Sequence, residues 1–153
     1  MHRVKEIVTR NKAGQHAGIW SCCSANEDVI RAALLRARKT RTPVLIESTS
    51  NQVNQDGGYT GMTPADFAHF VLKIAGEVGI ARDSVMIGGD HLGPLPWVDQ
   101  PEEEAMSRAE ELVRQCVLAG YTKIHLDTSM RVASDDPHTP FRTKTCAERG
   151  ARL

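Results

Sequence analysis

Apolar residues along this chain fall into two kinds of run, and the two kinds alternate. Short continuous apolar runs predict buried strands, and longer stretches with apolar residues three and four apart predict amphipathic helices. Val4 to Lys12 reads as a short amphipathic helix ended by Gly14. Ala17 to Cys23 is largely apolar and predicts a buried strand. Ser24 or Asn26 then caps a helix to about Arg38, with Val29, Ile30, Ala33, Leu34 and Ala37 on one face. Pro43 opens a second strand, Val44 to Glu47, and a polar segment without periodicity follows from Ser48 to Gly61. Thr63, Pro64 and Asp66 then stand as N-cap, first and third residues of a helix. Its apolar stripe is Phe67, Phe70, Val71, Ile74 and Val78, and Gly79 stops it. Ser84 to Gly88 predicts a third strand, and Gly89 to Trp97 a loop rich in glycine and proline. Pro101 and the Glu102 to Glu104 run open a helix whose face is Ala105, Ala109, Leu112, Val113, Cys116 and Val117, closed by Gly120. Thr122 to Asp127 is a fourth strand, and a last helix begins near Thr143.

Strand and helix repeated in this order predict an α/β protein with a parallel sheet and right-handed crossovers. A doubly wound sheet and a (β/α)8 barrel both fit that pattern. A dinucleotide-binding sheet needs a glycine-rich turn after its first strand, and Cys22-Cys23-Ser24-Ala25-Asn26 is nothing like one. Four strands are half a barrel, whose usual size is about 250 residues. The expectation is that residues 1–153 form the N-terminal part of a single TIM (β/α)8-type domain, about its first four βα units. The rest of the barrel is expected to be missing from this chain, or to come from another half.

Composition leaves that picture in place, with 41% hydrophobic and 25% charged residues, as in an ordinary globular domain. Nineteen basic residues balance nineteen acidic ones, so no net field favours nucleic acid or an anionic membrane as partner. The first twelve residues lack the apolar core of a secretory signal, and no run approaches the roughly 18 apolar residues of a membrane span. A cytoplasmic location is expected. Cys22, Cys23, Cys116 and Cys146 show no metal-ribbon spacing and read as free thiols.

Ligands of parallel α/β folds bind at the carboxyl ends of the strands, so polar residues there carry the most weight. Glu47 closes the second strand, ahead of Asn51 and Gln52, as a ligand-binding group or as partner to a barrel lysine or arginine. Gly57 to Gly61 offers backbone N–H groups for an anion nest, or forms a plain turn. After the third strand Asp90 and His91 stand side by side among glycines, an acid/base group next to a potential zinc ligand. On the fourth strand Lys123, His125 and Asp127 alternate with Ile124 and Leu126. Period two places the polar trio on the inner barrel face, as a site or as a salt-bridge network, with Asp127 nearest the strand end. His2, His16 and His69 lack clustered partners and read as surface residues, and His138 lies in the loop beyond the fourth strand. Trp20 and Trp97 read as packing residues, and Glu102 to Glu104 as helix N-terminal charge.

Long strings in this chain resemble the tagatose-bisphosphate aldolase Z-subunit family, the GatZ/KbaZ type. They are Glu47 to Gln55, Gly57 to Phe67, Gly88 to Pro94 and Lys123 to Asp127, within a likeness that runs through Arg149. The resemblance implies a barrel of the class II aldolase type, longer than this chain, acting on ketose phosphates in carbohydrate catabolism. It implies a Z subunit that supports a catalytic Y subunit in cleaving tagatose 1,6-bisphosphate, or alternatively a tagatose 6-phosphate 4-epimerase. Both reactions use a divalent metal, expected to be zinc, to polarise a carbonyl while a base takes the C4 hydroxyl proton. By the family pattern Asp90 is the acid/base and His91 a metal ligand, with the other ligands on later strands. Glu47, Asn51, Gln52, His125 and Asp127 are then expected at the substrate. A homo-oligomer is compatible with the resemblance, and the 153-residue chain alone is expected to be inactive. The chain departs from the family pattern after Asp127, where Thr128-Ser129-Met130 is followed by Arg131-Val132. An arginine there is placed to reach a substrate phosphate or to face solvent.

Overall fold

The computed structural model describes residues 3–153, so His2 lies outside the described residues. Its order is α1 (Arg3–Lys12), β1 (Ser21–Cys23), α2 (Glu27–Thr40), β2 (Val44–Thr49), α3 (Pro64–Val78), β3 (Val85–Leu92), α4 (Glu102–Leu118), β4 (Lys123–Leu126) and α5 (Thr143–Arg152). The four strands are all parallel and lie in the order β1-β2-β3-β4. Each strand therefore pairs with its successor. A doubly wound sheet reverses its strand order at a switch point, and this sheet does not, which is the sequential order of a barrel.

Alternation along the strands divides the sheet into two faces. Val44, Ile46, Val85 and Ile87 are buried in one core with Ile30 and Leu34 of α2, Phe67, Val71 and Ile74 of α3, and Ala109 and Leu112 of α4. The intervening residues, Leu45, Glu47, Met86, Gly88, Lys123 and His125, lie on the opposite, inner face. Helix starts follow their chemistry. Asn26 accepts the N–H groups of Asp28 and Val29 at 3.0 and 3.2 Å, and Thr63 forms a reciprocal capping box with Asp66. Gly79 ends α3 in the left-handed conformation at φ 73°.

Three expectations are corrected. β1 is an exposed edge strand of three residues rather than a buried run from Ala17, with Cys22 alone packed on the core and Trp20 exposed. Val29 and Val117 are exposed, because each sits at the rim of its helix's apolar stripe. β3 does not stop at Gly88 but continues through Asp90 and His91 to Leu92, because Thr49 on β2 and Leu126 on β4 pair with that extension. Trp97 is buried as expected, and its indole N–H donates to Asp56 at 3.3 Å. Glu102 and Glu103 open α4 and also hold α5 down, through Arg149 and Arg152. His16, His69 and His138 are exposed. No helix among the described residues is long and apolar enough to cross a membrane.

Candidate functional site

Strand register stacks the chemistry in two rows on the inner face. Cys23, Glu47, Gly88 and Lys123 pair across the four strands, and Thr49 pairs with Asp90 one step nearer the carboxyl ends. Glu47 is only 2% exposed, and its carboxylate accepts from the Lys123 ammonium at 2.5 Å. Of the two readings of Glu47, a partner for a barrel lysine is the one the contacts show. Gly88 makes room for this pair, since a Cβ there would come within 2.9 Å of Glu47 Oε1.

Asp90 and His91 would point to opposite faces of a regular strand. They do not here, because the ladder between β3 and β4 is irregular between Gly89 and Leu92 and His91 takes a left-handed conformation at φ 52°. This bulge turns His91 back toward Asp90. His91 Nδ1 stands 3.3 Å from Asp90 Oδ2, and its ring lies against that of His125, with centroids 4.4 Å apart. His125 Nδ1 is 2.8 Å from Asp90 Oδ1, which also accepts from Lys123 at 3.3 Å. Burial works to raise the Asp90 carboxyl, but the His125 hydrogen bond, the Lys123 charge and the Cys23 thiol outweigh it and hold it down at about 2. Asp90 is therefore an anion across the neutral range.

Donor atoms of Asp90, His91 and His125 lie within 4.8 Å of one another. Two imidazoles and a carboxylate are the donor chemistry of a zinc site that keeps an open position. The residues fit a divalent metal, and they supply two imidazoles where His91 alone was expected as a ligand.

The other expected site residues make local contacts in the structure. Asp127 lies beside the cluster, and its Oδ1 accepts the backbone N–H and hydroxyl of Ser129 at 2.9 and 2.6 Å. The Gln52 side chain accepts the Thr49 N–H at 2.9 Å, and Asn51 is exposed with its carbonyl accepting from Tyr59. Asn54 fills the anion nest: its side-chain oxygen takes the N–H groups of Asp56 and Gly58, and its carbonyl that of Gly57. The loop is a turn. The Arg131 guanidinium donates to the carbonyls of Asp136 and Thr139 at 2.8 and 2.6 Å. Cys23 is the neighbour that sequence reasoning missed. Partial burial, then Asp90 and Glu47, push its thiol up to about 12, so it stays protonated beside the carboxylates. Its place at the end of β1, level with Glu47, was the available signal.

Fold and site together define a parallel α/β barrel protein with a carboxylate and two imidazoles at its strand ends. Within that class, the chain belongs to the family described as D-tagatose-1,6-bisphosphate aldolase subunit GatZ/KbaZ-like, which matches residues 4–153. It is 53% identical over 150 residues to D-tagatose-1,6-bisphosphate aldolase subunit GatZ of Escherichia coli (strain K12), covering 98% of this chain and 35% of that protein. The same values hold for GatZ of Escherichia coli O139:H28 (strain E24377A / ETEC). A crystal structure of a probable tagatose 6 phosphate kinase from Sinorhizobium meliloti 1021 is similar, with TM-score 0.83 and 53% identity, over 88% of this chain and 34% of that chain. The chain thus spans about a third of the length of the relatives it matches.

Proposed function

We propose that the protein carrying this chain is a Z-type subunit of a tagatose-1,6-bisphosphate aldolase. It works with a catalytic Y-type subunit in the cytoplasm, on ketose phosphates of tagatose, galactitol and N-acetylgalactosamine-type catabolism. Kinship with the GatZ proteins supports the substrate class, and the Asp90–His91–His125 cluster is the observation that carries a chemical role. His91 and His125 would hold a divalent metal, expected to be zinc, together with ligands from the later strands, and when bound it would supply Lewis-acid polarisation of a ketose carbonyl. Asp90, anionic and facing the same space through Oδ2, is the group that takes and returns a hydroxyl proton. Lys123 and Glu47 lie beneath it on the strand register, and Lys123 donates to Asp90 Oδ1 at 3.3 Å.

One observation favours a second reading. A subunit that only supports its partner needs neither a carboxylate nor paired imidazoles, so the cluster favours chemistry on the Z chain itself, as a tagatose 6-phosphate 4-epimerase. A single experiment addresses both. The purified protein is assayed with zinc for tagatose 1,6-bisphosphate cleavage, with and without the Y-type subunit, and for conversion of tagatose 6-phosphate to fructose 6-phosphate. Cleavage that requires both proteins, and falls about 100-fold or more with Asp90→Asn, is the expected outcome. Cleavage untouched by Asp90→Asn would reduce the cluster to a structural feature. Fructose 6-phosphate formed by the Z protein alone, and lost with Asp90→Asn, would move the assignment to the epimerase.

A further inference from the structure

Resting on the reading of Asp90, His91 and His125 as a metal centre, we propose that Glu47 and Lys123 are its positioning residues. They act through Asp90 to fix the His125 ring with its proton on Nδ1 and its Nε2 free to bind the metal. The ammonium of Lys123 has three donors and three acceptors: Glu47 Oε1 at 2.5 Å, Gly89 O at 3.3 Å and Asp90 Oδ1 at 3.3 Å. None is left for a substrate, so Lys123 works only through the groups it already holds. Glu47, at 2% exposure, has no solvent to stabilise its charge and needs the ammonium beside it. The pair is thus a fixed post, built on β2 and β4 across the gap that Gly88 leaves open.

The post determines which oxygen of Asp90 does what. Oδ1 receives both Lys123 and His125, while Oδ2 is left facing His91. An ionised carboxylate only accepts, so the His125 nitrogen 2.8 Å from Oδ1 carries the proton. In a neutral ring the other nitrogen then presents a lone pair, the form in which imidazole binds metal. Glu47 and Asp90 against Lys123 leave this trio one negative charge in excess, before any metal is counted.

The test uses uniformly 15N-labelled protein and two readouts. Long-range 1H–15N correlation spectra of the metal-free protein, at about pH 8.5 where imidazole is ordinarily neutral, give the His125 tautomer. Chelator competition gives the affinity for zinc. Lys123→Met leaves Glu47 buried without a partner and risks misfolding, so the Glu47→Gln/Lys123→Met double variant, which removes both charges together, is measured beside it. The expected result is the Nδ1–H form in wild type, a shift away from it in the double variant, and a 10–100-fold loss of zinc affinity. An unchanged tautomer and unchanged affinity in a folded double variant would overturn the proposal. A wild type that binds no zinc, yet whose His125 tautomer depends on Lys123, would remove the metal-centre reading while upholding the positioning role.

Discussion

His91 carries a side chain in a conformation that suits glycine, at φ 52° in the middle of a strand end. A residue with a Cβ is disfavoured there by about 1–2 kcal/mol, and such strain gathers where geometry serves chemistry. The bulge that imposes it is what brings His91 onto the side of Asp90. We therefore expect His91→Gly to be more stable than His91→Ala by about 1 kcal/mol, with both losing a metal donor. Urea unfolding of the two variants checks this. At an ordinary strand position glycine is the weaker of the two, so a more stable alanine variant would show that His91 is not strained. The pair Asp90–His91 was legible in the sequence as polar neighbours at a strand end, but not its orientation. Alternation assigns neighbours to opposite faces, and nothing in Gly89-Asp90-His91-Leu92 announces that the ladder slips. His125 was legible as an inner-face residue, whereas its partnership with Asp90 depends on the β3–β4 register, which is a property of the packed sheet.

Helices show the opposite balance. The start of α3 was readable residue by residue, because capping chemistry is local: Thr63, Pro64 and Asp66 take their expected places. The extents of β1 and β3 were not, because a strand ends where its neighbour ceases to pair with it. The docking of α5 was also hidden, since it rests on ion pairs of Arg149 and Arg152, the first of them buried. Arg149 is 2% exposed and donates to both oxygens of Asp135, at 2.9 and 2.7 Å, and to Glu102 at 2.7 Å. The Arg149 hydrogen bonds hold the Asp135 carboxyl below the usual carboxylate range, against the opposing effect of burial. A carboxyl whose value is depressed on folding contributes stability that is complete above its unfolded value, about 3.9, and is lost as pH falls through the folded value. Asp135→Asn is expected to cost about 3 kcal/mol at pH 7, since it strips a buried cation of one partner. That deficit should shrink as the pH drops below about 4, because Asp135 of the unfolded wild-type chain then takes up a proton, and it should be smallest once the folded carboxyl is protonated too. Urea midpoints for the two proteins across that range test the assignment, and a deficit independent of pH would place the loss in packing instead.

At the scale of the molecule, sequential strand order and a polar inner face at the strand ends make a site from β3 and β4 with its foundation on β2. Such a site couples metal to fold, because the two imidazoles come together only when the β3–β4 register forms, and the unfolded chain holds no equivalent arrangement. A ligand bound only by the folded state adds about 2.7 kcal/mol at a hundredfold excess over its dissociation constant, and about 1.4 kcal/mol for each further tenfold. For a domain of about 150–250 residues each kcal/mol raises the melting midpoint by roughly 2–4 °C. Zinc at a hundredfold excess should therefore raise the midpoint of the wild-type protein by roughly 5–10 °C, and the rise should continue with the logarithm of zinc concentration. The His91→Ala/His125→Ala double variant should show none of it, while a Cys22→Ser/Cys23→Ser variant should keep it, because neither thiol belongs to the cluster. The cysteine control is needed because Cys23 lies close to Asp90, and thiols are zinc ligands in their own right. A rise that survived loss of both histidines and vanished with the cysteines would relocate the metal to the β1 edge and leave Asp90 and His125 as a hydrogen-bonded pair. A rise lost with the histidines alone would tie the stability of the β3–β4 ladder to the same atoms that are proposed to do the chemistry.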